Sequence, residues 1–309
     1  MKLISVVTPC YNEEENVEIL YQAIKEIFKQ LPQYRYEHIF IDNASHDRTI
    51  SILKQIAEKD KNIKVIINSR NFGHIRSPYY GILQANGDAV IFIVADLQDP
   101  PDKINAFIKK WEEGYKIVIG VKPKSEESLL MFTIRRLGYY WIGRIADIKL
   151  IKNFTGFGLY DKKIIDILRS YDDPYPYFRG MIADIGFDVA EIPYQQPERK
   201  FGITKNNFYT LYDIGMLGIT SYSKVPLRLA TMIGFFLASI SFVLSLVFLI
   251  LKLLFWNRFN AGMAPILIGL FFFSSIQLFF IGLLGEYISS INTRVMKRPL
   301  VIEKERINF

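Results

Sequence analysis

The chain has 309 residues, 50% of them hydrophobic, with a mean hydropathy of +0.15 and a net charge of +7. The apolar excess sits almost entirely after residue 225, and the basic balance suits an anionic partner: a phospholipid surface, a nucleotide or nucleic acid. One cysteine, Cys10, rules out an internal disulfide and a cysteine-built zinc site, and three scattered histidines, His38, His46 and His74, argue against a site of histidine ligands.

In chain order, Lys2 to Thr8 reads as a buried β-branched strand stopped by Pro9, entered at once with no apolar leader, so no signal peptide is expected. Asn12 is placed to cap a helix with an acidic first turn, running to about Gln30. Tyr36 to Asp42 is a second strand, Asp47 or Ser45 can cap a helix through about Lys59, and Ile63 to Asn68 is a third strand. A weaker helix to about Gln84, a strand over Ala89 to Val94, a helix over Pro101 to Glu113 and a strand over Lys116 to Val121 follow. This alternation predicts an α/β fold, a parallel doubly wound sheet with helices on both faces. No glycine-rich dinucleotide fingerprint or P-loop lysine motif is present, which argues against a nicotinamide-dependent or ATP-hydrolysing machine.

Ile91 to Pro101 concentrates the chemistry. An apolar run ends abruptly in Asp96-Leu97-Gln98-Asp99 and two prolines, so a buried strand delivers oxygen ligands to its own C-terminal edge, where open α/β sheets bind ligands. Asp96 and Gln98 suit a hard divalent cation, Mg²⁺ or Mn²⁺, which neutralises the phosphates of a nucleotide. Asp99 reads either as a further ligand or base, or as the cap of a helix beginning at Pro100. Asn12-Glu13 and Asp42-Asn43 end two other strands and fall on the same edge.

Between about 126 and 225 the pattern is less regular. Leu129 to Lys149 spaces apolar residues at helical intervals among Arg135, Arg136, Arg144 and Lys149; it reads either as a membrane-interface helix or as a core-facing one. Asn206 to Tyr222, rich in Tyr and Phe, is a second interfacial candidate. Thr155 to Leu159 has strand and turn character, Asp161 is placed to cap the helix Lys162 to Arg169, and Phe187 to Pro193 looks like an edge strand. Leu229 to Leu251 and Gly262 to Gly285 are each long enough to cross a hydrocarbon core of ~30 Å at ~1.5 Å per residue. The short connection between them makes a hairpin, and the basic residues outside it, Lys224, Arg228, Arg294, Lys297 and Arg298, put both termini in the cytoplasm.

Four runs, Pro9-Cys10-Tyr11-Asn12-Glu13, Asp42-Asn43-Ala44-Ser45, Arg70-Asn71-Phe72-Gly73 and Ala95-Asp96-Leu97-Gln98-Asp99-Pro100-Pro101, precede Pro226-Leu227-Arg228-Leu229-Ala230 and the hairpin. In this order they resemble the family 2 glycosyltransferases, and within them the polyprenyl-phosphate glycosyltransferases: the dolichyl-phosphate mannose synthases and the bacterial GtrB-like glucosyltransferases. The likeness covers nearly the whole chain. It implies a GT-A fold, a UDP- or GDP-sugar donor, a divalent metal, and transfer with inversion onto a polyprenyl phosphate such as undecaprenyl phosphate, for cell-surface glycan modification. It also implies homo-tetramers, as in the GtrB-like branch.

Carried over by position, Pro9, Tyr11, Glu13, Asp42 and Asn43 would hold the base and ribose of the donor, with Arg70 beside them. Asp96 and Gln98 would hold the metal on its diphosphate, and Arg199 and Lys205 belong to a basic loop that closes over the phosphates. Lys122, Lys124, Arg135 and Arg136 would meet the lipid phosphate, and each basic residue reads equally as a solvated surface charge. If a base is required, Asp99, Asp184 and Asp161 are the candidates. Three departures stand out: Val94 replaces the first carboxylate of the usual metal motif, Asn43 the second acid of an Asp pair, and Gly156 and Gly158 an Asp and an Arg of the GtrB-like pattern. The implied organisation is a nucleotide-sugar half over 1–125, an acceptor-side and juxtamembrane region over 126–225, the hairpin over 226–288 and a cytoplasmic tail over 289–309. The alternative is a catalytically silent nucleotide-sugar or lipid-phosphate binder that scaffolds a glycan assembly complex. Nucleic acid is disfavoured, because the positive charge borders the spans instead of interleaving with stacking aromatics.

Overall fold

Strand β1 (Lys2–Cys10) lies at the centre of the sheet and pairs in parallel with β2 (Tyr34–Asp42) on one side and β4 (Ala89–Phe92) on the other. The structure is a computed structural model that describes residues 1–122, 151, 153–197, 208–255 and 263–309. β3 (Ile63–Asn68) joins β2 in parallel, and the full strand order is β7-β5-β6-β4-β1-β2-β3-β8, with β5 at Ile117–Val121, β6 at Phe154–Asp161, β7 at Val189–Pro193 and β8 at Glu303–Ile307.

Period-2 alternation sorts the strand side chains into two layers. Ile4, Val6, Ala89 and Ile91 face one layer, packed by α1 (Val17–Lys29) and α4 (Lys103–Glu112) through Leu20, Ile24, Phe107 and Trp111. Val7, Val90 and Phe92 face the other, packed by α3 (Gly73–Gln84), α5 (Lys162–Ser170) and α6 (Phe178–Asp184). A third cluster sets α1 and α2 (Thr49–Lys59) against β2 and β3. Helices therefore cover both faces, as the alternation predicts.

The sheet is mixed, where the sequence pattern predicts a parallel one. β6 runs antiparallel to both β4 and β5, and β8 runs antiparallel to β3. β5 ends and β6 begins at the same edge of the sheet, so this connection needs no crossover and the strand direction reverses. Pro9 lies inside β1 instead of ending it. The ladder to β4 stops at Val7↔Phe92, and Pro9 faces that vacated side, so its missing N–H costs no ladder bond. Nor does Asp99 cap α4: the helix starts at Lys103, after a turn in which Lys103 N and Ile104 N donate to Pro100 O and Pro101 O.

Beyond the sheet, α7 (Phe208–Tyr222) precedes α8 (Val225–Leu254) and α9 (Met263–Val295). The last two are long and apolar enough to cross a membrane, and their side chains are bare, Phe235 at 76% and Phe271 at 70% exposure. α7 packs on α9 through Tyr212 Oη to Glu286 and Arg294 to Ser221 Oγ. The terminal segment is no free tail. It returns as β8, where Ser69 N donates to Ile302 O, Lys54 pairs with Glu305, and Asn308 Nδ2 donates to the carbonyls of Ala57 and Ile63. The edge of β3 is covered as a result.

His38 on β2 is fully buried, its Nε2 2.9 Å from Thr8 Oγ1, and burial pushes its pKa down to about 3. Above pH ~6.5 both folded and unfolded states are neutral; below it the unfolded chain takes up a proton that the folded chain refuses. Stability therefore falls as pH drops, by about 2 kcal/mol from this group between pH 7 and 5. Thermal unfolding of the wild type beside His38→Gln should show their stability difference shift by that amount over the same range, whereas a pH-independent difference would contradict the assignment.

Candidate active site

The loops after β1, β2 and β4 each contain a non-glycine residue in the left-handed region: Asn12 (φ 54), Ala44 (φ 62) and Leu97 (φ 59). Such residues cost roughly 1–2 kcal/mol each and cluster at functional sites. The first two loops hold each other in place. Asn12 N donates to Ser45 Oγ at 2.9 Å, His46 N donates to Asn12 Oδ1 at 2.8 Å, and Glu13 N donates to Thr49 Oγ1 at 2.9 Å. Asn12 thus ties two loops together and caps no helix; α1 starts at Val17, with Glu13 O accepting from Asn16 N and Val17 N.

These loops border a cleft of about 620 Å³ at the C-terminal edge of the parallel strands. Pro9, Tyr11 and Glu13 line it from β1, Asn43 from β2, and Asp96 and Gln98 from β4. Asn71, His74, Ser77 and Thr155 also line it. The sequence pattern assigns no individual role to these four; Asn71 belongs to the Arg70–Gly73 run and His74 follows it, whereas Thr155 arrives only through the reversal of β6.

Asn43 is the pin of the cleft wall. Its Nδ2 donates to Asn71 Oδ1 (2.9 Å) and Gly73 O (3.2 Å), while its Oδ1 accepts from Phe72 N (2.9 Å) and Asn68 Nδ2 (3.2 Å). An amide does this because it donates and accepts at once; a carboxylate only accepts. Asp42 lies beneath the lining, fully buried, with Oδ1 accepting from Ser45 N at 2.9 Å and Oδ2 engaging Ser45 Oγ. Burial raises its pKa against the lowering effect of the Ser45 bonds.

Asp96 and Gln98 flank Leu97, and Asp96 Oδ1 accepts from Gln98 N at 3.1 Å. Among the described residues no group of three or more His, Cys, Asp or Glu side chains gathers to hold a metal. One carboxylate and one amide oxygen on an open edge nevertheless fit Mg²⁺ or Mn²⁺, because such ions keep waters and take further oxygens from substrate phosphates. Val94 lines the cleft where a second carboxylate would extend that set. Asp99 is 4% exposed and accepts from Tyr194 Oη at 2.9 Å. Burial pushes its pKa up to about 6, the Tyr194 bond and Lys122 pulling the other way.

Two proposed bases are misplaced. Asp161 ends β6, which runs opposite to β4, so it sits at the far edge of the sheet, opposite Ala89. There it caps α5 through Lys163 N (3.0 Å) and accepts from Trp111 Nε1 (2.7 Å) and Lys116 Nζ (3.0 Å). Asp184 is exposed at the C-terminal end of α6 and does not line the cleft. Arg70 points outward and stacks on Phe72 at 4.0 Å, away from the lining. Lys122 follows β5 at the cleft edge, its N donating to Asn153 O. Lys124, Arg135, Arg136, Arg199 and Lys205 lie outside the described residues. Gly156 (φ +111) and Gly158 occupy places where glycine is needed, a Cβ at 158 meeting Val118 O at 2.4 Å.

The glycosyl transferase family 2 profile matches residues 5–166. An SfII prophage-derived bactoprenol glucosyl transferase of Shigella flexneri is 34% identical over 303 residues, 98% of this chain and 97% of its own. An uncharacterized glycosyltransferase, YkcC, of Bacillus subtilis (strain 168) is 34% identical over 299 residues, 96% of this chain and 92% of its own. Among solved structures, a mycobacterial protein matches with a TM-score of 0.50 over 71% of this chain and 73% of its own at 15% identity, a likeness of fold.

Replacing Asn43 by Ala should strand the buried Phe72 N–H and the Asn68 amide, at about 1–3 kcal/mol for each donor left unmade. Thermal unfolding of Asn43→Ala in detergent should fall by several degrees, together with weaker nucleotide binding; an unchanged transition would remove Asn43 from this role.

Proposed function

Because the chain belongs to glycosyl transferase family 2 and its sheet is of the GT-A kind, we propose that it is a membrane-anchored inverting glycosyltransferase that moves a sugar from a UDP- or GDP-sugar to a polyprenyl phosphate, undecaprenyl phosphate in particular. The observation that carries this reading is the convergence of Tyr11, Glu13, Asn43, Asp96 and Gln98 on one cleft, in a chain that also has two membrane-length helices. Likeness over nearly the full length to a bactoprenol glucosyl transferase supports the lipid acceptor.

In this reading Pro9, Tyr11 and Glu13 receive the base and ribose against the wall that Asn43 pins, with Asp42 shaping the turn beneath them. Asp96 and Gln98 hold Mg²⁺ or Mn²⁺, which when bound neutralises charge on the departing diphosphate. Arg199 and Lys205 close over the donor phosphates, and Lys122, Lys124, Arg135 and Arg136 serve the acceptor side. An oxygen of the lipid phosphate attacks the anomeric carbon; the bond from that carbon to the diphosphate breaks, and the nucleoside diphosphate leaves with the electron pair. A phosphate monoester has its second pKa near ~6 and is largely ionised at neutral pH, so no proton has to be removed. That agrees with the described carboxylates. Asp99 is buried against Tyr194, Asp161 is at the far edge, and Glu13 and Asp96 line the donor side. Catalysis then rests on holding the acceptor in line and stabilising the leaving group.

The domain division we propose keeps the donor half at 1–125, the acceptor and juxtamembrane region at 126–225 and the hairpin at 226–288, with the tail rejoining the donor half. Pairing of β8 with β3 supports an even number of crossings, and the basic residues beside the spans support a cytoplasmic active site. The assembly we propose is a homo-tetramer, as in the GtrB-like branch.

Transfer of radiolabelled sugar from a panel of UDP- and GDP-sugars into undecaprenyl phosphate tests the reading. Product should require Mg²⁺ or Mn²⁺, and Asp96→Ala should lower kcat/KM by about 10²–10³-fold. Intact nucleotide-sugar binding without transfer from any donor would instead establish a non-catalytic binding scaffold.

A further inference from the structure

The donor cleft has a neighbour. His74, Pro78, Phe92 and Thr155 line both it and a second chamber of about 100 Å³, so the two adjoin across these side chains. The walls change character across that junction. Ile75 and Ile82 of α3, Phe178 of α6 and Ile214 of α7 make the second chamber largely apolar. α7 is held against α9, the second membrane-length helix, by Tyr212 to Glu286 and Arg294 to Ser221. The chamber therefore lies between the donor cleft and the helix that packs on α9.

Arg179 of α6 lines this chamber and not the donor cleft. It is half-buried, and among the described residues its hydrogen bonding is limited to a long contact, Nη1 to Phe154 O at 3.4 Å, with no carboxylate in ion-pair reach. A guanidinium partly withdrawn from water without a counter-charge is costly, and the cost is relieved by an anion. Arginine is also the side chain best matched to a phosphate, through its planar fork of donors. A ligand with a phosphate at one end and a branched hydrocarbon at the other meets both features of the chamber.

We propose that the second chamber is the doorway of the lipid acceptor: Arg179 receives the phosphate of the prenyl phosphate, and the isoprene units nearest to it lie along Ile75, Ile82, Phe178 and Ile214. The phosphate's role as nucleophile rests on the transferase reading, but its binding does not. Arg179 is a further basic residue for the acceptor, in addition to those expected from the sequence at 122, 124, 135 and 136. It approaches the shared rim from α6, so the phosphate reaches the donor cleft past His74 and Thr155.

The test uses the full chain in nanodiscs and measures binding of undecaprenyl phosphate and of undecaprenol by quenching of intrinsic fluorescence. UDP and GDP binding is followed in parallel as a report on the folded donor half. The wild type should bind the phosphate at least tenfold more tightly than the alcohol. Arg179→Ala should erase that preference, Arg179→Lys should keep part of it, and Ile214→Trp should weaken both lipids, with nucleotide affinity within twofold throughout. A phosphate preference retained in Arg179→Ala, or absent from the wild type, overturns the proposal. If Arg179→Ala fails to fold, a preference undiminished in Arg179→Lys together with lipid binding unchanged in Ile214→Trp does the same. Absence of sugar transfer from every donor would instead count against the transferase reading and leave the lipid-binding result standing.

Discussion

The cleft depends on one constraint: β1 is hydrogen-bonded in parallel to β2 and β4 at once. Parallel pairing puts the C-terminal ends of neighbouring strands at one edge, where each chain must turn and its polar groups are released from the ladder. Cys10 stands opposite Asp42, and Val7 opposite Phe92, so the loops carrying Tyr11, Asn43 and Asp96 start within a few residues of the same level. The short β4 and the proline in β1 are consistent with each other here, since Pro9 turns its missing donor toward the side that β4 has left. Without that register the same polar residues would be unrelated surface groups.

On this edge the side chains divide between building the wall and facing the space. Asn43, Ser45 and Asn12 spend hydrogen bonds on other loops, and Asp42 spends its own on Ser45 of the same turn. Asp96 and Gln98 keep oxygens available because Leu97 is held in the left-handed region between them. Strain of this order persists where surrounding contacts over-determine it. The carboxylates of Asp99 and Asp161 illustrate how environment sets role. Burial raises Asp99 toward neutrality, whereas for Asp161 burial is outweighed by bonds from Trp111, Lys116 and a backbone N–H, which lower its pKa.

Contacts among the described residues tie the two long apolar helices to the sheet, among them Arg294 of α9 to Asp173. α7 packs on α9 next to the second chamber, and the chain leaving α9 passes Arg76, which donates to Pro299 O, before entering β8. Arg76 belongs to the α3 wall of the site, directly after the loop pinned by Asn43. The end of the second long helix is therefore joined through a few residues to the wall of the donor cleft. In the proposed reading, a lipid acceptor that approaches along the helices meets an edge that those helices help to position.

Much of this was legible in the residues themselves. Strands and helices of the first half, the two apolar spans, and the clustering of Asn12-Glu13, Asp42-Asn43 and Asp96-Gln98 at strand ends follow from period and punctuation, because each reports a local preference of the chain. The direction of β6 did not, since a strand's periodicity is the same whichever way it runs. That single reversal carried Asp161 to the far edge and brought Thr155 into the cleft. Nor was the return of residues 303–307 to the edge of β3 readable, because EKERI has no apolar face to announce a strand; its stability comes from the partner's unpaired backbone. The sequence by itself determined which residue types reach strand ends and which segments are apolar enough to leave water. Which of those residues face one another, and which are consumed in holding the loops, was decided by tertiary structure, since hydrogen-bond partners dozens of residues apart become neighbours only once the sheet has closed its register.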